Sequence, residues 1–105
     1  MAKQKLKLIA NPTFKATVGI PIAGGDPVQI EFTFKHRTKS ALDEFVKSRA
    51  DKGDAESFMA MVEGWELEDE FNAENVELLL QNYAGSALAT YRVYIEQLIQ
   101  ARLGN

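Results

Sequence analysis

Hydrophobic and polar positions alternate most regularly over residues 28–35. There Val28, Ile30, Phe32 and Phe34 are separated by Gln29, Glu31, Thr33 and Lys35. A period of two puts one set of side chains on a buried face and the other in water, which predicts a half-buried β-strand. Phe14, Ala16, Val18 and Ile20 repeat the pattern, with Lys15 and Thr17 opposite, and predict a second strand over residues 14–22. Between them lies Ala23-Gly24-Gly25-Asp26-Pro27, a turn sequence in which glycine reaches positive φ without steric cost. These two segments predict an antiparallel β-hairpin.

From residue 38 onward the apolar period lengthens to that of a helix. Leu42, Phe45, Val46 and Arg49 fall at helical spacing behind Thr38 or Ser40 as a cap, predicting a helix to about Ala50. Asp54 is placed to cap a second helix to about Glu63, carrying Phe58, Met59, Met61 and Val62, with Gly64 as the break. An acidic connection, Glu66 to Glu70, follows, with Trp65, Leu67 and Phe71 alternating along it. Asn72 caps a third helix with Val76, Leu79, Leu80 and Tyr83 as its apolar stripe. Gly85 breaks it. Ser86 then caps a last helix to about Leu103, with Leu88, Tyr91, Ile95, Leu98 and Ile99 on one face. The expected fold class is α+β: an N-terminal antiparallel β-hairpin followed by about four α-helices. Residues 1–13 are expected as an arm, with a short edge strand through Leu6 and Leu8, and residues 14–105 as a single α+β domain.

Composition narrows the function. The chain has 105 residues, 46% of them hydrophobic and 26% charged, which is ordinary globular usage for one core. It has no cysteine, so disulfides, thiolate catalysis and cysteine-ligated zinc are excluded. No apolar run approaches the ~18 residues of a membrane span. Met1–Leu8 has lysines but no apolar core behind them, so neither a signal peptide nor a membrane partner is expected. The net charge of −3 is unevenly spread. Residues 1–39 carry seven Lys/Arg against two acids, a balance of +5, while residues 40–105 carry five against thirteen, a balance of −8. This polarity suggests attraction between copies or toward a charged partner.

Catalytic chemistry finds little support. His36 is the single histidine, beside Lys35 and Arg37 and with no orienting carboxylate near it in sequence. Gly24-Gly25 lacks the Gly-Lys-Ser/Thr ending of a phosphate loop and does not open a helix. Glu63, Glu66, Glu68, Asp69 and Glu70 lack the alternating oxygen ligands and central glycine of a calcium loop. No catalytic residue, metal or cofactor is therefore expected. The basic N-terminal part contains no nucleic-acid motif in a chain that is acidic overall, so nucleic acid is not expected either. What stands out is the cluster Phe58, Met59, Met61 and Trp65, since aromatic residues and methionine suit both adaptable binding surfaces and cores.

Several stretches together resemble the tail assembly chaperones of long-tailed bacteriophages. They are Asn11-Pro12-Thr13-Phe14-Lys15, Phe32-Thr33-Phe34-Lys35 with Arg37-Thr38, Gly64-Trp65, and the long run from Asn75 through Tyr83-Ala84-Gly85 to Ala87. The likeness is one of overall pattern from Asn11 to Asn105, and it departs at Ala84, where the family pattern has proline. It implies a non-enzymatic chaperone that binds the tape-measure protein, keeps it soluble and helps recruit tail tube protein. It further implies action in the host cytoplasm, absence from the mature virion, and, with the charge split, a homo-oligomer. Many members of the family are made in two lengths by a ribosomal frameshift. The client-binding face implied here draws on Phe58, Met59, Met61, Trp65, Phe71 and Tyr94, with Trp65 foremost. A small structural connector of the virion tail and a nucleic-acid-binding regulator are the competing readings.

Overall fold

The computed structural model describes residues 5–100. It is an α+β fold, a three-stranded antiparallel sheet at the N-terminal end combined with four α-helices. Strands β1 (Thr13–Ile20) and β2 (Val28–Lys35) form the expected hairpin, with Thr13 opposite Lys35 and Ile20 opposite Val28. Its turn closes through the Gly25 amide donating to the Ile22 carbonyl at 3.1 Å. Gly24 sits there at φ 76°, a backbone state that side chains resist. Residues 5–12 form no strand, and only the His36 amide, donating to the Pro12 carbonyl at 2.8 Å, extends the ladder toward them.

Helix α1 (Lys39–Ser48) is capped by Thr38, whose hydroxyl accepts from the Ala41 amide at 3.2 Å, and runs into a 3-10 turn at Arg49–Asp51. Leu42 and Phe45 are its buried residues, and Val46 is exposed. Helix α2 (Asp54–Met61) starts after Gly53, so Asp54 is its first residue and not its cap. The expected continuation to Glu63 is corrected: the chain passes at Val62, without a loop, into strand β3 (Val62–Trp65). The β-branched Val62 takes φ −114°, ψ 140° and pairs with Phe34. Gly64 therefore lies inside a strand opposite Thr33, and a bulge between Thr33 and Phe34 leaves Glu63 unpaired and exposed.

Helix α3 (Ala73–Asn82) is capped as expected, Asn72 Oδ1 accepting from the Asn75 amide at 2.8 Å. Helix α4 (Ser86–Ile99) differs at both ends. Gly85 occupies the cap position, Ser86 is the first helical residue and is fully buried, and Gln100 closes the helix at φ 53°. Residues 101–103, to which this helix was expected to run, lie outside the described residues. Gly85 is required by contact: a Cβ there would stand 2.9 Å from Pro21 Cγ and 3.3 Å from Pro21 Cβ. No helix among the described residues is long and apolar enough to cross a membrane.

The core lies between the sheet and the helices. Helix α4 packs on β1, and α2 packs on β2, α3 and α4. Tyr94 of α4 is its centre, stacked 5.5 Å from Phe34 and meeting Phe45 edge-on at 5.8 Å. Phe58 of α2 meets Phe32 edge-on at 5.6 Å. Burying such rings contributes about 1.5–3 kcal/mol each before entropy is counted. The buried phenol is satisfied as well, donating to the Lys35 carbonyl at 2.7 Å and accepting from Arg37 Nη1 at 2.9 Å.

Candidate functional site

Helix α3 packs on α2 and α4 and stands off the sheet. An apolar groove of about 550 Å³ is left between them, a volume typical of ligand-sized clefts. One wall is the turn end of the hairpin, where Ile20, Ile22, Val28 and Ile30 point inward by the period of two. The opposite wall is α3, contributing Leu78, Leu79 and Tyr83. Trp65 and Leu67 form the side between them. Several of these residues are open to solvent: Leu78 is 55% exposed, Val28 48% and Tyr83 40%. Exposed apolar side chains gathered at one concavity mark an interaction surface more strongly than the same residues scattered.

The groove is built from stiff parts. Trp65 lies opposite Phe32 in the sheet, and its ring is held edge-on against Phe71 at 5.0 Å. Its indole N–H donates to the Asp69 carbonyl at 2.8 Å, folding the acidic connection back beneath the ring. The Asn75 amide group likewise donates to the Glu70 carbonyl at 2.7 Å. The indole N–H and the Asn75 amide group are thus occupied within the chain, and the groove offers mainly apolar contact, with Asp69 as the charged residue in its lining.

The segments that build the walls carry charge of one sign. The two segments that form the walls, residues 20–31 and 65–83, contain eight Asp/Glu and no Lys or Arg. Among the described residues no three His, Cys, Asp or Glu side chains converge as metal ligands. His36 lies in a second depression, between α1, the end of α4 and the arm residues Leu8 and Ile9.

The six residues expected to form one binding face are divided by the structure. Phe58, Met61 and Tyr94 are almost wholly buried. In this conformation they offer no surface, because each fills the space between sheet and helices. Met59 and Phe71 are partly buried against the same core. Trp65 alone of the six lines the groove, and Phe71 supports it. Sequence reasoning missed Leu78, which lay outside the assigned stripe of α3. The run Leu78-Leu79-Leu80 was the available signal, since three consecutive leucines are wider than one helical stripe. It also took Val28 as buried, whereas it stands 48% exposed at the open side of the groove beside the buried Ile20 of β1.

The phenol of Tyr94 is displaced in its titration by its surroundings. Burial raises its pKa above the usual tyrosine value, and the hydrogen bond from Arg37 and that residue's positive charge oppose the rise. This marks a packed structural tyrosine, because its partners are the Lys35 carbonyl and Arg37 and it faces no cleft.

A small α+β scaffold with an open apolar groove in an acidic surround has the features of a protein that docks other proteins. The family described as phage tail assembly chaperone matches residues 1–105, the whole sequence, and the chain belongs to that family. No curated protein and no solved structure matches it.

Proposed function

We propose that this chain is a non-enzymatic tail assembly chaperone whose groove holds an apolar helical stripe of the tape-measure protein. It keeps that client soluble until tail tube subunits are recruited around it, acts in the host cytoplasm, and is not retained in the mature virion. The observation that carries this reading is the open groove between the hairpin end and α3, walled by Trp65, Leu78 and Val28. A long helical client aggregates through its apolar stripes. A groove offering an indole, leucines and β-branched side chains covers such stripes without demanding one sequence. The acidic surround keeps the complex in solution.

Leu78→Glu tests it. Leu78 is more than half exposed, so the variant is expected to keep the wild-type melting midpoint. Client binding is expected to weaken by about 2 kcal/mol or more, as at an interface hot spot. On co-expression with the tape-measure protein, wild type should hold the client in the soluble fraction and Leu78→Glu should release it to the pellet. A client that stays fully soluble with Leu78→Glu and with Trp65→Ala refutes the groove as its site. Finding the chain in purified particles by mass spectrometry would support the connector reading instead.

A further inference from the structure

We propose that the acidic groove is also a receptor for the N-terminal arm of a second copy of this chain, so that copies cap one another when no client is bound. The arm has the complementary chemistry. Leu6, Leu8 and Ile9 are 81%, 95% and 86% exposed and lie among Lys5 and Lys7. These are the three most exposed large apolar residues among those described, and their charges are all positive. The groove offers apolar walls on segments whose charges are all negative. An exposed basic apolar strip and an open acidic apolar groove on one molecule satisfy each other only between molecules if the arm cannot reach its own groove.

Reach decides this. The arm enters at the Thr13 end of β1, whereas the hairpin wall of the groove lies around Ile20 and Val28 at the other end, with Trp65 nearer the middle of the sheet opposite Phe32. Seven residue steps of strand separate Thr13 from Ile20, about 24 Å. Leu8 and Ile9 precede Thr13 by five and four residues, at most ~18 Å when fully extended, so neither reaches that wall in its own molecule. Leu6, seven residues before Thr13, covers the distance only if the whole arm doubles back straight along β1. Its own Leu8 and Ile9 lie instead beside the second depression, near Leu42 and Leu98, and remain exposed there. An arm donated by a neighbour has no such limit, and donation in both directions closes a pair without leaving an open end.

Sedimentation velocity of the full chain without client tests the exchange. Wild type should associate as concentration rises through the micromolar range at low salt, and the association should weaken as salt shortens the Debye length from ~10 Å to ~3 Å. Leu6→Glu/Leu8→Glu should abolish association without changing the melting midpoint, since both side chains are exposed. Lys5→Glu/Lys7→Glu and Glu66→Lys/Asp69→Lys should each weaken self-association about tenfold, as expected for mismatched charge across an interface. Mixing these two inverted variants should restore it, because each arm then meets a groove of opposite sign. Trp65, the single tryptophan, should change emission when a peptide of residues 1–12 is titrated into the full chain.

A wild-type chain that stays monomeric under these conditions overturns the proposal. So does association that survives the arm variants, or a mixture of inverted variants that fails to recover. A lower melting midpoint in Leu6→Glu/Leu8→Glu with unchanged association would place the arm on its own second depression and likewise overturn it. No client enters these measurements, so their outcome is separate from that of the co-expression test.

Discussion

Replacing Arg37 by methionine should be among the most destabilising changes at any position that is not fully buried. Helix α2 ends with no basic residue in its last turn, yet a helix end leaves carbonyls without intrahelical partners and carries partial negative charge. Lys35 at the end of strand β2 and Arg37 just beyond it supply the missing cations. Lys35 Nζ donates to the Met59 carbonyl at 3.1 Å, and Arg37 Nη1 donates to the Ala60 carbonyl at 2.7 Å and to the Tyr94 hydroxyl at 2.9 Å. The guanidinium also lies 4.6 Å from the Phe45 ring centre. Hydrogen bonds from a charged donor are worth about 1.5–3 kcal/mol each, and a partly solvated cation–π contact adds about 0.5–1 kcal/mol. Methionine keeps the packing of the stem, and water replaces part of what is lost. The expected net loss is about 2–3 kcal/mol, a fall in melting midpoint of roughly 10–20 °C for a domain of this size. Lys35→Met, which removes one longer contact, should cost only about 0.5–1 kcal/mol. A double-mutant cycle of Arg37→Met with Tyr94→Phe should show coupling of about 1 kcal/mol. If chemical denaturation puts Arg37→Met within about 0.5 kcal/mol of wild type, or no worse than Lys35→Met, the latch contributes nothing and this reasoning fails.

Two further predictions concern the same frame. Because burial raises the pKa of Tyr94, its contribution to stability is complete below pH ~10, where the phenol is neutral in both states. As pH rises further the unfolded chain loses the proton first and binds fewer protons than the folded one, so stability falls. Tyr94→Phe should remove that part of the alkaline decline, seen as a shallower slope in denaturation midpoints above pH 10. Gly85→Ala should lower the urea midpoint by the equivalent of about 1 kcal/mol with an unchanged slope. The new methyl would press on the Pro21 ring, and that strain exceeds the gain of about 0.4–1 kcal/mol from a stiffer unfolded chain.

The hairpin, the caps at Thr38 and Asn72 and the helical character of the later chain were legible because each rests on a local signal. Strand β3 was not. Val62-Glu63-Gly64-Trp65 is too short to show a period, follows a helix directly and contains a glycine that reads as a break. Only its pairing with β2, about thirty residues earlier in the chain, makes it a strand. The groove was legible in part for a related reason. Trp65 was singled out for what tryptophan does at interfaces. Phe58, Met61 and Tyr94 were grouped with it on residue type, which cannot distinguish a buried ring from an exposed one. How much of the sheet's core-side face is left open around Val28 depends on where α3 settles, and no local pattern records that.

Strand β3 also sets how the groove answers to what enters it. Its beginning is fixed, because Lys35 and Arg37 hold the two carbonyls just upstream and Val62 is fully buried against the core. Its end is held as well: beyond the bulge at Glu63, Gly64 and Trp65 lie opposite Thr33 and Phe32, and the Glu66 amide donates to the Glu31 carbonyl at 3.0 Å. Trp65 therefore stands on backbone fixed on both sides of it, and its ring is braced in turn by Phe71 and the Asp69 carbonyl. Side chains of different bulk must then be received by the exposed rim residues Leu67 and Leu78, while Trp65, the hairpin and the aromatic core behind them keep their places.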